Sequence, residues 1–140
     1  MFERYSEGAR RAIFLARYEA WQHGSELIEP EHLLLGLLRE DRNPDHRGWI
    51  EAVRDEVDSQ IFVGDPLPME KEVPLSKTCK TVLKLGVEEA HRLGHREIGP
   101  EHLLVGILLG ENCPAAKALN GHGMNLVVLR EEAARNKPIT

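Results

Sequence analysis

The chain repeats itself. Shifted by 70 positions, Ser6 to Glu40 aligns with Ser76 to Gly110 and the two stretches share 13 identities in 35 positions. The identities fall in order: Ser6/Ser76, Leu15/Leu85, Glu19/Glu89, Ala20/Ala90, Gly24/Gly94 and Ile28/Ile98. They continue through Pro30/Pro100, Glu31/Glu101, His32/His102, Leu33/Leu103, Leu34/Leu104, Gly36/Gly106 and Leu38/Leu108. Shared helical composition does not give ordered identity of this kind, so any fold must be one that accommodates two copies of a single unit.

Each copy reads as helical. Ser6 and Ser76 are N-cap residues, whose hydroxyls satisfy a free N–H at a helix start. Behind Ser6 the small apolar residues Ala9, Ala12, Ile13, Ala16 and Ala20 recur on one helical face; behind Ser76 the stripe is Cys79, Val82, Leu83, Gly86 and Ala90. Small residues there let a second helix approach closely. Gly24 and Gly94 stop these helices. A second helix then starts at Pro30 or Pro100, with Glu31 or Glu101 at the positive end of its dipole. Leu33 to Leu38 and Leu103 to Leu109 are apolar nearly all round, the pattern of a central helix wrapped by others.

Downstream the copies part. Pro114 to Asn120 predicts a short helix ending near Gly121 or Gly123, and Asn125 caps a last helix from Leu126 to about Asn136. In the first copy the fourth-helix motif matches only at an offset of 76, so about six residues are missing. The third helix there is expected to shrink to a turn, with Trp49 filling its space, before a helix from about Ile50 to Ile61. The fold class is therefore all-α, two pseudo-twofold-related repeats of up to four helices in one domain over 1–140. Repeat one covers about 5–62, the linker about 63–74 and repeat two about 75–136.

Composition narrows the function. The 140 residues are 41% hydrophobic and 29% charged, with a formal charge of −5. The first 70 residues hold 8 arginines, no lysine and 15 carboxylates, a formal −7; the remainder comes to +2. Mild acidity argues against general nucleic-acid binding. The longest apolar run, Leu33-Leu34-Leu35-Gly36-Leu37-Leu38, is far below the roughly 20 residues of a spanning helix, and Met1-Phe2-Glu3-Arg4 opens no signal-peptide core. A cytoplasmic location without membrane contact is expected. Two cysteines make neither a disulfide framework nor a metal motif.

The run Gly94-His95-Arg96-Glu97-Ile98-Gly99-Pro100-Glu101-His102-Leu103-Leu104-Val105-Gly106-Ile107-Leu108 resembles the Clp N-terminal repeat, the double four-helix domain of Clp-type AAA+ protein unfoldases. Phe2-Glu3-Arg4-Tyr5-Ser6 and Ala115-Ala116-Lys117-Ala118-Leu119 are similar too, so the resemblance spans nearly the whole chain. Pro30 and Pro100 depart from it, standing where the family usually has a small hydroxyl residue. The resemblance implies a non-catalytic module that docks adaptor proteins and unfolded or tagged clients for a Clp-type ATPase ring, in cis or in trans. An alternative is a free-standing regulator that sequesters adaptors or modified clients.

Enzyme readings find little support. No Gly-x-x-x-x-Gly-Lys-Ser/Thr run exists to cradle phosphates, so the chain is not the motor by itself. His91 and His95 have the i, i+4 spacing of helical zinc ligands, but Gly94 is expected to break the helix between them. His32 and His102 read as hydrogen-bonded structural residues and Cys79 as a small core residue; no metal or cofactor is expected. The sharpest candidates are Ser6 with Glu31 and Ser76 with Glu101. In some members of the family the matching hydroxyl and glutamate frame a pocket for phosphorylated arginine. The chemistry is coherent: helix N–H groups hold a phosphate and a carboxylate pairs with a guanidinium. N-capping and dipole pairing explain the same four residues. An apolar client groove between the repeats is a further candidate, with Leu126, Val127 and Val128 read as core rather than as its lining.

Overall fold

A computed structural model describes residues 4–61, 63–68, 70–110 and 113–135. Phe2 and Glu3, cited for the resemblance, and Asn136, the expected end of the last helix, lie outside them.

Among the described residues the structure is built from helices. The first copy holds α1 (Glu7–Gln22), α2 (Pro30–Glu40), a 3₁₀ turn (Pro44–His46) and α3 (Arg47–Gln60). The second holds α4 (Lys77–Arg92), α5 (Pro100–Leu109), α6 (Pro114–Gly121) and α7 (Leu126–Arg135). The caps act as their residue types require. Ser6 Oγ accepts from Ala9 N at 3.1 Å, Ser76 Oγ from Cys79 N at 3.0 Å and Asn125 Oδ1 from Val128 N at 3.0 Å. Gly24 and Gly94 take φ of +74° and +73°, closing α1 and α4 through a backbone conformation that a Cβ would strain.

The missing third helix of the first copy is indeed a single turn. The helix after it starts at Arg47 rather than near Ile50, because the 3₁₀ turn runs into α3 without a break. Trp49 is half-buried against the core, its ring 5.1 Å from that of His46.

One hydrophobic cluster runs through both copies. At its centre lie Leu33, Leu34, Leu35, Leu103, Val105 and Ile107, all fully buried on α2 and α5. Burying such side chains stabilises by about 1.5–3 kcal/mol each before chain entropy is counted. The small-residue stripes serve the close approach expected of them: a Cβ on Gly36 would collide with the Ala12 carbonyl, and one on Gly106 with the Val82 carbonyl. Leu126 packs half-buried against the core, but Val127 and Val128 do not belong to it, being 66% and 36% exposed. Leu129 and Ala133 are the residues that α7 buries, and its N-terminal valines fall on the outer side.

The copies are tied by two short parallel bridges, Tyr5 with Ile98 and Ile28 with Leu75. Ser6 N donates to the Ile98 carbonyl at 2.9 Å and Ile98 N to the Arg4 carbonyl at 2.9 Å. The other bridge mirrors it: Ile28 N donates to Pro74 at 2.8 Å and Ser76 N to Ile28 at 3.0 Å. The leader of each repeat therefore lies on the inter-helix loop of the other.

Candidate functional site

This exchange regroups the four candidate residues. Ser6 lies against the α4–α5 loop that leads to Glu101, and the backbone at Gly8 comes up to Pro100: a Cβ there would sit 3.4 Å from the proline ring. Ser76 lies against the α1–α2 loop that leads to Glu31. Cys79, one turn into α4, feels the same neighbourhood, since burial and then the charges of Glu29 and Glu31 push its thiol up to about 12. The backbone bridges thus set Ser6 beside the loop that leads to Glu101 and Ser76 beside the loop that leads to Glu31, across the repeats in each case, while neither serine lines the cleft that its glutamate borders. Periodicity within one copy gives no hint of this crossing.

The groups differ in character. Glu31 is half-buried in a cleft of about 250 Å³ with Ser25, Glu29, His32, Gln60 and Ile61. Burial, and then the neighbouring Glu29 carboxylate, raise its carboxyl above the ordinary range. Position 29 is Gly99 in the second copy. There the Glu101 side chain folds back over the glycine, where a Cβ would collide with its carboxylate. Glu101 also borders a cleft of about 230 Å³ with Gly8, Glu40, Asp41, His46 and Glu132 among its walls. Carboxylates outnumber cations in both clefts, which suits a guanidinium or ammonium group, although Arg42 lines the second and its Glu40, Asp41 and Glu132 already meet Arg11 and His46; both clefts adjoin a helix N-terminus. The Ser6 and Ser76 hydroxyls each accept from the helix they cap, as above.

The histidines are held by the backbone and by one another. His32 Nδ1 accepts from Glu29 N at 2.9 Å, and His102 Nδ1 from Gly99 N at 2.8 Å. Each therefore has its proton on Nε2. His102 Nε2 lies 2.7 Å from His95 Nδ1 in a buried pair. Burial, and secondarily the nearby His23, lowers His32 to about 4. His91 and His95 do not converge: His91 is exposed against Arg4, 2.9 Å from its guanidinium, and His95 is buried. Among the described residues no group of three or more His, Cys, Asp or Glu could hold a metal ion. No helix among them is long and apolar enough to cross a membrane.

Two arrangements escaped the sequence reading. Glu19 and Glu89, each 2% exposed, anchor matching ion clusters. Glu19 meets Arg39 at 2.7 Å and Arg54 at 3.3 Å; Glu89 meets Arg92 at 2.7 Å and Arg130 at 3.1 Å. The signal was present: Glu19/Glu89 is identical at offset 70 and Arg54/Arg130 at offset 76. His46 is the other. Its Nδ1 lies 2.6 Å from Asp41 and its Nε2 2.8 Å from Glu132 of α7, joining the repeats. It sits in the segment where the copies diverge, so repetition could not mark it.

An all-helical, internally duplicated module whose leaders cross between its halves, with one cleft inside the first half and one built from both, defines the class of protein. The Clp repeat (R) N-terminal domain family matches residues 4–122, and the chain belongs to that family. It is 33% identical over 138 residues to the negative regulator of genetic competence ClpC/MecB of Bacillus subtilis, covering 94% of this chain and 17% of that protein. It is 35% identical over 141 residues to the chloroplastic chaperone protein ClpC1 of Arabidopsis thaliana, covering 96% of this chain and 15% of that protein. The chain thus spans less than a fifth of the length of these relatives. Its fold is similar to that of the N-terminal domain of the caseinolytic protease associated chaperone ClpD from Arabidopsis thaliana. The TM-score is 0.76 at 30% identity, covering 96% of this chain and 95% of that one. The Hsp104 N-terminal domain from Candida albicans shares the fold, with a TM-score of 0.72 at 16% identity over 99% of this chain and 94% of that one.

Proposed function

We propose that the chain is a non-catalytic docking module of a Clp-type ATP-dependent unfoldase or protease system, which takes up adaptor proteins and unfolded or tagged clients for the ATPase ring. The family match across both repeats carries this reading. The two acidic clefts support it, since each offers a partner carboxylates beside a helix start. A pull-down with a Clp-type ATPase, its adaptors and an unfolded client tests it. Capture above an unrelated helical control is expected, and capture no better than that control overturns it.

The clefts favour a cationic group on the incoming chain. Phospho-arginine fits the chemistry, with its guanidinium toward Glu31 or Glu101 and its phosphate toward the N-terminus of α4 or α1. Titrating free phospho-arginine into wild type and into Glu31→Ala/Glu101→Ala protein checks this; saturable heat lost in the double variant is expected, and equal weak heat in both sinks it. The reading that the protein is a free-standing regulator, holding adaptors or modified clients away from the motor, rests on the same surfaces. The genomic reading frame separates the two: continuation into a phosphate-binding ATPase sequence makes the chain part of an unfoldase, and a stop codon after Thr140 makes it independent.

A further inference from the structure

We propose that the outer face of α1 around Phe14 binds an acidic segment of a partner protein that carries an apolar side chain at its centre. The proposal rests on the docking role above and places one contact on a surface apart from the two acidic clefts.

Phe14 is 62% exposed, and Arg10 and Arg17 stand one turn to either side of it. With the half-buried Ile13 these residues line a shallow groove of about 180 Å³. Arg17 lies 5.9 Å from the Trp21 ring centroid, so its guanidinium is held over an aromatic surface, and no carboxylate among the described residues pairs with it. A positive, apolar-centred patch thus stands out on the half of the chain that carries a formal −7.

The duplication supplies an internal control. At offset 70, Arg10, Ile13, Phe14 and Arg17 become Lys80, Leu83, Lys84 and Val87. Leu83 is buried and Lys84 exposed. The same helix in the same fold therefore needs no aromatic residue at this position; it tolerates lysine. An exposed phenylalanine that packing does not require is a feature of interaction surfaces.

Charge selects the occupant. A carboxylate beside an apolar anchor would pair with the Arg17 guanidinium while the anchor covers Phe14 and Ile13, and a basic segment would be repelled. A second copy of this chain docking through the same face would bring arginines against arginines. The patch is small, which fits a weak, reversible contact.

The test uses isotope-labelled protein and a synthetic peptide in which a Leu-Phe pair is flanked by two glutamates on each side. Controls replace the glutamates by lysine or the Leu-Phe pair by serine. Saturable amide shifts centred on α1 are expected for the acidic peptide alone. Phe14→Lys, which imports the second copy's own residue, and Arg17→Glu are each expected to weaken binding about tenfold or more while leaving the helical spectrum intact. Shifts centred away from α1, equal binding of the lysine-flanked peptide, or unchanged binding by Phe14→Lys overturns the proposal. Concentration-dependent self-association that Phe14→Lys abolishes also overturns it, assigning the patch to a second copy. Adaptor or client capture that survives undiminished in both variants leaves the docking role standing and removes this site. Peptide binding on α1 without any adaptor or client capture does the reverse.

Discussion

Glu89 sits on the apolar face of α4, 2% exposed, among Cys79, Val82, Leu83, Gly86 and Ala90. Burial works against its charge, but hydrogen bonds from Arg92 and Arg130 outweigh burial and hold the carboxyl below the ordinary range. A depressed carboxyl contributes stability that is present above its unfolded value and is lost as pH falls through its folded one. Glu89→Gln keeps the shape and removes the charge; a loss of about 1–3 kcal/mol is expected in urea unfolding at neutral pH, shrinking in acid. His32 has the opposite charge logic and the same direction. Lowered to about 4, it must be neutral in the fold, so stability erodes as pH drops from about 6.5 toward 4, with a slope approaching 1.4 kcal/mol per unit. His32→Asn offers an oxygen to the same Glu29 N–H and cannot titrate. Unfolding curves at pH 7.5 and 5 should show the wild-type gap narrowing in this variant. At this scale the sequence was informative where the copies agree. His32 and His102 could be read as hydrogen-bonded structural residues because neither has the second histidine that a His-Glu-x-x-His zinc motif needs, whereas Phe14 and His46 stand where the copies disagree.

Among the helices, α2 and α5 were the most legible, since a run that is apolar all round leaves few places other than the centre. Their crossings with α1 and α4 depend on two glycines. Gly106→Ala drives a methyl into the Val82 carbonyl and should cost about 1–3 kcal/mol or more. Gly48, in the first turn of α3, has nothing within 4 Å of an added Cβ. Gly48→Ala should instead stabilise by about 0.5 kcal/mol through helix propensity and lost unfolded-chain freedom. Thermal melts of the pair should therefore move in opposite directions. The start of α3 was less legible because a 3₁₀ turn merging into an α-helix leaves no cap to read. The outward position of Val127 was hidden for another reason: four consecutive apolar residues, Leu126 to Leu129, give no period from which to choose the buried side.

At the scale of the molecule, side-chain bridges join the repeats. His46 reaches from the 3₁₀ turn to Glu132, and His122 Nε2 lies 2.9 Å from Glu56 of α3. Burial pulls His46 downward, yet Asp41 and Glu132 on its two sides outweigh burial and raise its proton affinity. That contribution is fully present below about pH 6.5 and is lost as pH rises through the raised value. Melting temperatures between pH 6 and 9 should fall in the wild type and fall less in His46→Gln. The crossing of Ser6 with Glu101 and Ser76 with Glu31 belongs to this scale too. The four residues were visible in the sequence, but their grouping depends on two single-residue bridges that no periodicity announces.

Those bridges make the chain equivalent to two protomers that exchange their leaders across a pseudo-dyad, with the linker serving as a tether. A tether turns a concentration-dependent association into an internal one. Released from it, residues 71–135 carry a leader with no first-copy loop to receive it and an Ile98 loop with no leader to accept. Two such fragments can satisfy each other by twofold symmetry. Sedimentation of the fragment should show a dimer that dissociates on dilution; a folded monomer at every concentration would mean that the exchange is not needed to hold a repeat together.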